Sequence, residues 1–388
     1  MRVRHVVRLA AVLAVAGVVG GVAAPAVGAQ SGSTTVKIGL EGPLTGDQQD
    51  IGQGMLRGAQ LAAERLNAAG GIAGAQVEIV PIDDAADPAT GVTAANAAIA
   101  AGLDGVVGPY NSGVGAATLP LYIQAGLVPI RLTSADSTNG LGLTLQPMTY
   151  QIAPVAADAL TEWLKADSVA IIYDDSTLYT QTVSAALKSE LEAADVTISA
   201  FEPIQPGASS YQTTLDKVAA TDPDVIYLAT YYPEGGLIAK EMYDGKVDAK
   251  CVADYGAYSD AFVDTAGTKA ARRCPVVGVP APDEFSSAKK YVAAYKKEFG
   301  AAPGVWSPYT YDSVDFLAAG VEAAGGWDAA ALSSALAELS GFSGWTGSVT
   351  IDPATGNREP ATVVVLRTDK RGAFHVNEQW AKAVDAQI

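Results

Sequence analysis

Residues 36–46 read Val-Lys-Ile-Gly-Leu-Glu-Gly-Pro-Leu-Thr-Gly, and residues 54–71 read Gly-Met-Leu-Arg-Gly-Ala-Gln-Leu-Ala-Ala-Glu-Arg-Leu-Asn-Ala-Ala-Gly-Gly. The first is a short apolar run, Val36–Leu40, closed by glycine and proline, which predicts a buried strand and its turn. The second sets Met55, Ala59, Ala62 and Leu66 at helical spacing and stops on Gly70-Gly71, as a helix ending on glycine does. Outward from there, Gln76–Ile82 is a second strand. Asp87-Pro88 opens a helix to Ala101, with Asp as cap and Pro at the first helical position. Gly105–Gly108 is a third strand, followed by an irregular Pro109–Gly115 and a helix through Ala125, and Leu127–Ile130 is a fourth. Strands alternating with amphipathic helices predict an α/β fold with a parallel sheet.

The pattern restarts after Pro154. Val169–Tyr173, Val196–Phe201, Val225–Leu228 and Cys251–Ala253 read as strands, with helices centred near Trp163, Leu187, Leu215 and Ala239. Val276–Pro282 reads as a strand leaving through a stiff proline crossover. Helices follow at Glu284–Phe299 and Ser313–Ala324, then strands at Ser348–Ile351 and Thr362–Leu366. The expected architecture is two doubly wound parallel-sheet lobes joined by a multi-strand hinge. Residues 30–152 plus 281–350 would form the N-terminal lobe, and 153–280 plus 351–388 the C-terminal lobe. Ligands of open parallel sheets sit outside the carboxyl ends of the strands, and two such lobes can close on a molecule between them.

Composition removes several classes. The 388 residues are 49% hydrophobic and 17% charged, too apolar for disorder. A net charge of −17 disfavours nucleic acid and anionic membranes, which need basic surfaces. Residues 1–29 carry Arg2, Arg4 and Arg8, an apolar run Leu9–Ala24, and the small residues Val27-Gly28-Ala29. This pattern predicts a cleaved export signal. No cysteine stands near its end to carry a lipid, so the exported chain is expected to be soluble, in the periplasm or cell-wall space. Cys251 and Cys274 are the only cysteines, and in an oxidising compartment they are expected to pair. His375 is the single histidine beyond the leader, and no Gly-x-Ser-x-Gly elbow occurs, which leaves little for nucleophilic or histidine-rich metal catalysis. Asp83-Asp84 with Asp87 superficially suggests a calcium loop, but a helix cap accounts better for Asp87. No cofactor and no metal is expected.

Taken in order, Gly42-Pro43-Leu44-Thr45-Gly46, Asn67-Ala68-Ala69-Gly70-Gly71-Ile72 with Gly74, Asp83-Asp84 with Asp87-Pro88, and Gly344, Gly347, Ile351-Asp352, Gly356 and Arg358 form one ordered set. In it the chain resembles the periplasmic substrate-binding proteins of branched-chain amino acid ABC transporters, the type I leucine/isoleucine/valine-binding family, from about Val36 to Trp380. The resemblance implies that the loop after the third strand, with Asn111 and Ser112, grips a ligand carboxylate. Free N–H groups ahead of the following helix suit that task. It places Ser134, Ala135 and Ser137 in a second binding loop, Tyr179 and Tyr231 on the second lobe, and Trp306 over the ligand side chain. The family's glutamate for the ligand ammonium is replaced in Ala253-Asp254-Tyr255-Gly256, where Asp254 or Tyr255 would take its place. Ile51 and Thr180 also depart from the pattern and leave the ligand open among amino acids, amides and small carboxylates.

Plainer readings stand beside these. Ser112 serves equally as a helix cap, Asp254 as a solvated strand-end acid, and Tyr179, Tyr231 and Trp306 as ordinary core aromatics. The combined expectation is a monomeric extracytoplasmic binding protein that delivers a small apolar amino acid to an ABC transporter permease by hinge closure. A ligand-binding sensor module for a membrane receptor and a secreted hydrolase are the alternatives. Ser112→Ala and Asp254→Ala are expected to weaken binding with little change in the melting temperature of the ligand-free protein.

Overall fold

The computed structural model describes residues 35–286 and 288–386; the expected export signal, residues 1–29, lies outside them. The first series is β1 (Thr35–Gly42), α1 (Gln49–Ala68), β2 (Gln76–Asp83), α2 (Pro88–Ala100), β3 (Gly105–Val107), α3 (Ser112–Gln124), β4 (Pro129–Arg131) and β5 (Leu143–Thr144). Helix α4 (Thr149–Asp158) leads to β6 (Ser168–Asp174), α5 (Leu178–Ala193), β7 (Thr197–Ile204), α6 (Gln212–Ala219), β8 (Val225–Ala229) and α7 (Tyr232–Gly245). Then come β9 (Lys250–Ala253), α8 (Asp260–Ala266), α9 (Thr268–Ala271) and β10 (Val276–Gly278). The chain returns through α10 (Ala288–Phe299), α11 (Ser307–Ala324), α12 (Ala329–Glu338), β11 (Ser343–Gly344), β12 (Gly347–Ser348), β13 (Ile351–Asp352) and β14 (Asn357–Arg358). It finishes with β15 (Val364–Thr368), β16 (Phe374–Val376) and α13 (Glu378–Ala383).

Two seven-stranded sheets result, in the orders β13-β14-β5-β4-β3-β1-β2 and β16-β15-β10-β9-β8-β6-β7. Their central strands are parallel, and β13 and the β15–β16 edge run antiparallel. The chain passes between the sheets three times, after β5, after β10 and after β14. None of the described helices is long and apolar enough to cross a membrane.

Local chemistry accounts for the elements. Asp87 caps α2 by accepting from the Thr90 N–H, with Pro88 at the first position. Strand β8, Val225–Ala229, is buried along its whole length, as a central strand covered on both faces requires. Helix α1 packs on α11 through Gly58, where a Cβ would stand 2.2 Å from the Ser307 carbonyl oxygen. Only a glycine lets the two backbones approach so closely.

Three expectations need correction. Helix α1 begins at Gln49 rather than Gly54, because the turn at Gly46 is shorter than the glycine spacing suggests. Pro154 lies inside α4, which runs from Thr149 to Asp158, so the expected boundary at 152/153 falls within a helix. Residues 351–358 complete the first sheet, not the second: Asn357 pairs with Thr144. The Arg358 guanidinium donates to the carbonyls of Leu145, Thr346 and Ser348. The boundary expected after residue 350 therefore lies beyond Arg358.

Candidate functional site

The carboxyl ends of β3 and β4 carry the first half of the site. Ser112 opens α3, and its cap residue Asn111 makes no side-chain cap bond; the Asn111 amide donates instead to Gln48 Oε1 at 2.9 Å. Ser112 is 1% exposed. Its Oγ accepts from the N–H groups of Ser134, at 3.2 Å, and Ala135, at 3.1 Å. With its lone pairs so engaged, the hydroxyl proton is directed outward as a donor. It stands at the end of a helix where unpaired N–H groups and the helix dipole favour an anion. Ser134 is itself fixed, donating to the Pro147 carbonyl at 2.9 Å and accepting from Gln146 Nε2 at 3.2 Å.

The second half comes from the carboxyl ends of β6, β8 and β9. Tyr179 lies in the first turn of α5, Tyr231 caps α7, and Tyr255 follows β9. Tyr231 is 6.1 Å from Tyr179, ring centre to ring centre, and 6.3 Å from Tyr110 of the first half. Asp254 is wholly buried and accepts from the Tyr179 hydroxyl at 2.8 Å, the Tyr227 hydroxyl at 2.6 Å and the Gly256 N–H at 3.2 Å. Burial pushes its carboxyl above the usual range, while the two phenols and the Gly256 and Tyr255 N–H groups pull it back. Beside the site, Tyr232 donates across to the Asp47 carbonyl at 2.6 Å and Tyr255 to Gln146 Oε1 at 3.4 Å.

Between the halves lies a cavity of ≈ 10 Å³, room for about one water. Tyr110, Ser112, Leu132 and Ser134 wall it from one side, and Tyr179, Tyr231, Tyr255 and Gly256 from the other. Beneath the first half, Glu41 at the end of β1 and Asp84 after β2 are both fully buried. Glu41 accepts from Thr118 at 3.0 Å and Asp84 from the Ala86 N–H at 2.8 Å. Burial raises both, Asp84 to about 7, and the proximity of Asp84 raises Glu41 further.

Of the residues expected from sequence, Ser112, Ser134, Tyr179, Tyr231 and Tyr255 meet at this cavity. Asn111, Ala135, Asp254 and Trp306 stand one layer behind it. Trp306 is 1% exposed and packs on Tyr255, at 5.0 Å, and on Tyr110, at 5.7 Å. Asp254 is no solvated acid, since its carboxylate ties down tyrosines. Ser137 does not join: it lies exposed in the 3-10 turn Asp136–Thr138, because that turn points Thr138 inward, to Thr133 and the Ala135 carbonyl. The sequence reading missed Tyr110, Leu132, Gly256 and the supporting Tyr227. Tyr110 and Leu132 had a usable signal, their place directly beyond the third and fourth strands. Gly256 had less, although a Cβ there would stand 3.0 Å from the Thr230 carbonyl and 3.2 Å from the Tyr179 ring.

Residues 35–373 match the family model described as periplasmic binding protein. The chain belongs to the periplasmic binding protein family. It is 32% identical over 308 residues to the Leu/Ile/Val-binding protein BraC3 of Rhizobium johnstonii, covering 78% of this chain and 83% of that protein. The branched-chain amino acid transporter substrate binding protein LivJ of Streptococcus pneumoniae, solved with isoleucine, superposes with a TM-score of 0.80 at 26% identity. That match covers 89% of this chain and 99% of the other. The leucine binding protein LivK of Thermotoga maritima has the same fold, with a TM-score of 0.82 at 22% identity over 88% and 97% of the two chains. Periplasmic binding proteins of this kind bind solutes and are not enzymes. The disulfide expected from sequence is present, joining Cys251 to Cys274.

Proposed function

We propose that this periplasmic binding protein is an exported receptor that takes a small apolar amino acid, branched-chain or close to it, between its two halves and delivers it to an ABC permease. One observation supports this most: the Ser112 hydroxyl, aimed outward at the start of α3, faces a wall of tyrosines from the other half. The serine and the helix N–H groups suit a carboxylate, and the tyrosine faces suit an apolar side chain and an ammonium. Charged hydrogen bonds of about 1.5–3 kcal/mol each bring a zwitterion into the micromolar range, about −8 kcal/mol.

The size of the cavity supports entry through hinge motion. A space of ≈ 10 Å³ admits no amino acid, so entry requires the halves to part, with the three crossings as the hinge. A ligand that touches both halves then favours closure. Calorimetric titration with a panel of amino acids and amides tests the reading. Saturable binding of leucine, isoleucine or valine, with a smaller radius of gyration in X-ray scattering, is expected; binding of none of the panel would overturn it.

A further inference from the structure

A second cleft lies at the opposite end of the second sheet. The cavity between the halves sits beyond the carboxyl end of β9, whereas Lys250 starts that strand. Arg272 and Arg273 precede β10, and Arg367 and Lys370 stand at the far end of the antiparallel β15. These five cations line a cleft of ≈ 660 Å³, within the range of small-molecule sites. All five are exposed, and among the described residues none forms an ion pair. Lys250 donates to the Leu164 carbonyl at 3.0 Å, and Arg273 lies 5.1 Å from the centre of the Tyr243 ring. Two acids, Asp369 and Glu378, also line the cleft. Asp369 is already occupied by the N–H groups of Arg371 and Ala373.

One further observation concerns how these charges are held. The Cys251–Cys274 bridge joins the neighbours of Lys250 and Arg273, holding two like charges together where β9 and β10 begin. In a chain of net charge −17, five unpaired cations around one cleft are a local concentration that calls for an anion with several charges. Arginine forks match phosphate oxygens in particular.

We propose that this cleft binds a multiply charged phosphate-bearing anion, independently of the amino acid site. The probes are inorganic tripolyphosphate and vesicles of phosphatidylglycerol in phosphatidylcholine, each added to the purified full chain. The R272Q/R273Q/R367Q variant is compared with K289Q/K290Q, which removes two exposed cations from α10 instead. Tripolyphosphate binding weakened at least about tenfold in the first variant and unchanged in the second supports the site with a free phosphate as its ligand. Co-sedimentation with vesicles alone, lost in the first variant only, supports it with a phosphate headgroup. Neither probe binding, or both variants losing it equally, overturns it. The amino acid titration should be the same in every variant, since none of these residues touches the cavity between the halves.

Discussion

The Tyr179 hydroxyl donates to Asp254 Oδ2 at 2.8 Å, so the acid faces the phenol and the phenol faces the cavity. Tyr227 holds the other oxygen. The charge that the sequence offers to a ligand's ammonium is thereby used to hold two rings in place, and the cavity wall is made of tyrosine.

Asp254→Ala should cost about 2–4 kcal/mol in chemical denaturation, because it leaves two buried phenols without an acceptor. Affinity for the amino acid should fall as well, through loss of Tyr179 placement. An unchanged denaturation midpoint would show that the network contributes nothing to stability.

Ser112→Ala should both weaken binding, by about tenfold for one charged hydrogen bond, and lower the stability of the ligand-free protein by about 1–3 kcal/mol. The N–H groups of Ser134 and Ala135 lose their acceptor. This replaces the expectation of an unchanged melting temperature for both variants. Calorimetry and thermal melts measured side by side separate the two effects.

Tyr232→Phe removes the hydroxyl that reaches across to the Asp47 carbonyl, at a residue that does not wall the cavity. The closed form should lose about 1 kcal/mol, read as a roughly fivefold weaker affinity carried by faster ligand release in stopped-flow measurements. Unaltered release would mean that the bond does not hold the halves together.

Asp84 gives the fold a pH dependence. Its carboxyl is raised to about 7, so the folded state favours the protonated form. This stability is fully present below the ordinary carboxylate pKa and is lost as pH rises through 7. Between pH 5 and 8 the loss should be about 2–3 kcal/mol. Asp84→Asn, compared by denaturant titration at both pH values, should remove the share of the slope that Asp84 contributes and leave the share of the equally buried Glu41, whose carboxyl burial also raises.

Reducing Cys251–Cys274 should lower stability by about 3 kcal/mol, as expected for opening a closed loop of this length. Denaturation with and without reductant, with thiol counting on the unreduced chain, measures it.

The sequence was most legible where one local rule governed the outcome. Val36–Leu40 and the spacing of Met55, Ala59, Ala62 and Leu66 identified β1 and α1. Asp87-Pro88 identified the start of α2, because cap and ring geometry depend on neighbours alone. Strands of two residues, such as β5, β13 and β14, carry no period to detect, and their place in the first sheet depends on the contacts of Arg358. The resemblance led to Ser112, Ser134, Tyr179 and Tyr231. It did not reveal that Ser137 turns to solvent or that Asp254 faces Tyr227, because both depend on packing that distant segments supply.

The threefold passage between the sheets has a consequence for biosynthesis. No contiguous fragment encodes either half, and the first sheet lacks its edge until Arg358 has left the ribosome. Nearly the whole polypeptide must therefore emerge before either half can be completed, so the two halves finish folding together at the end of synthesis rather than one after the other.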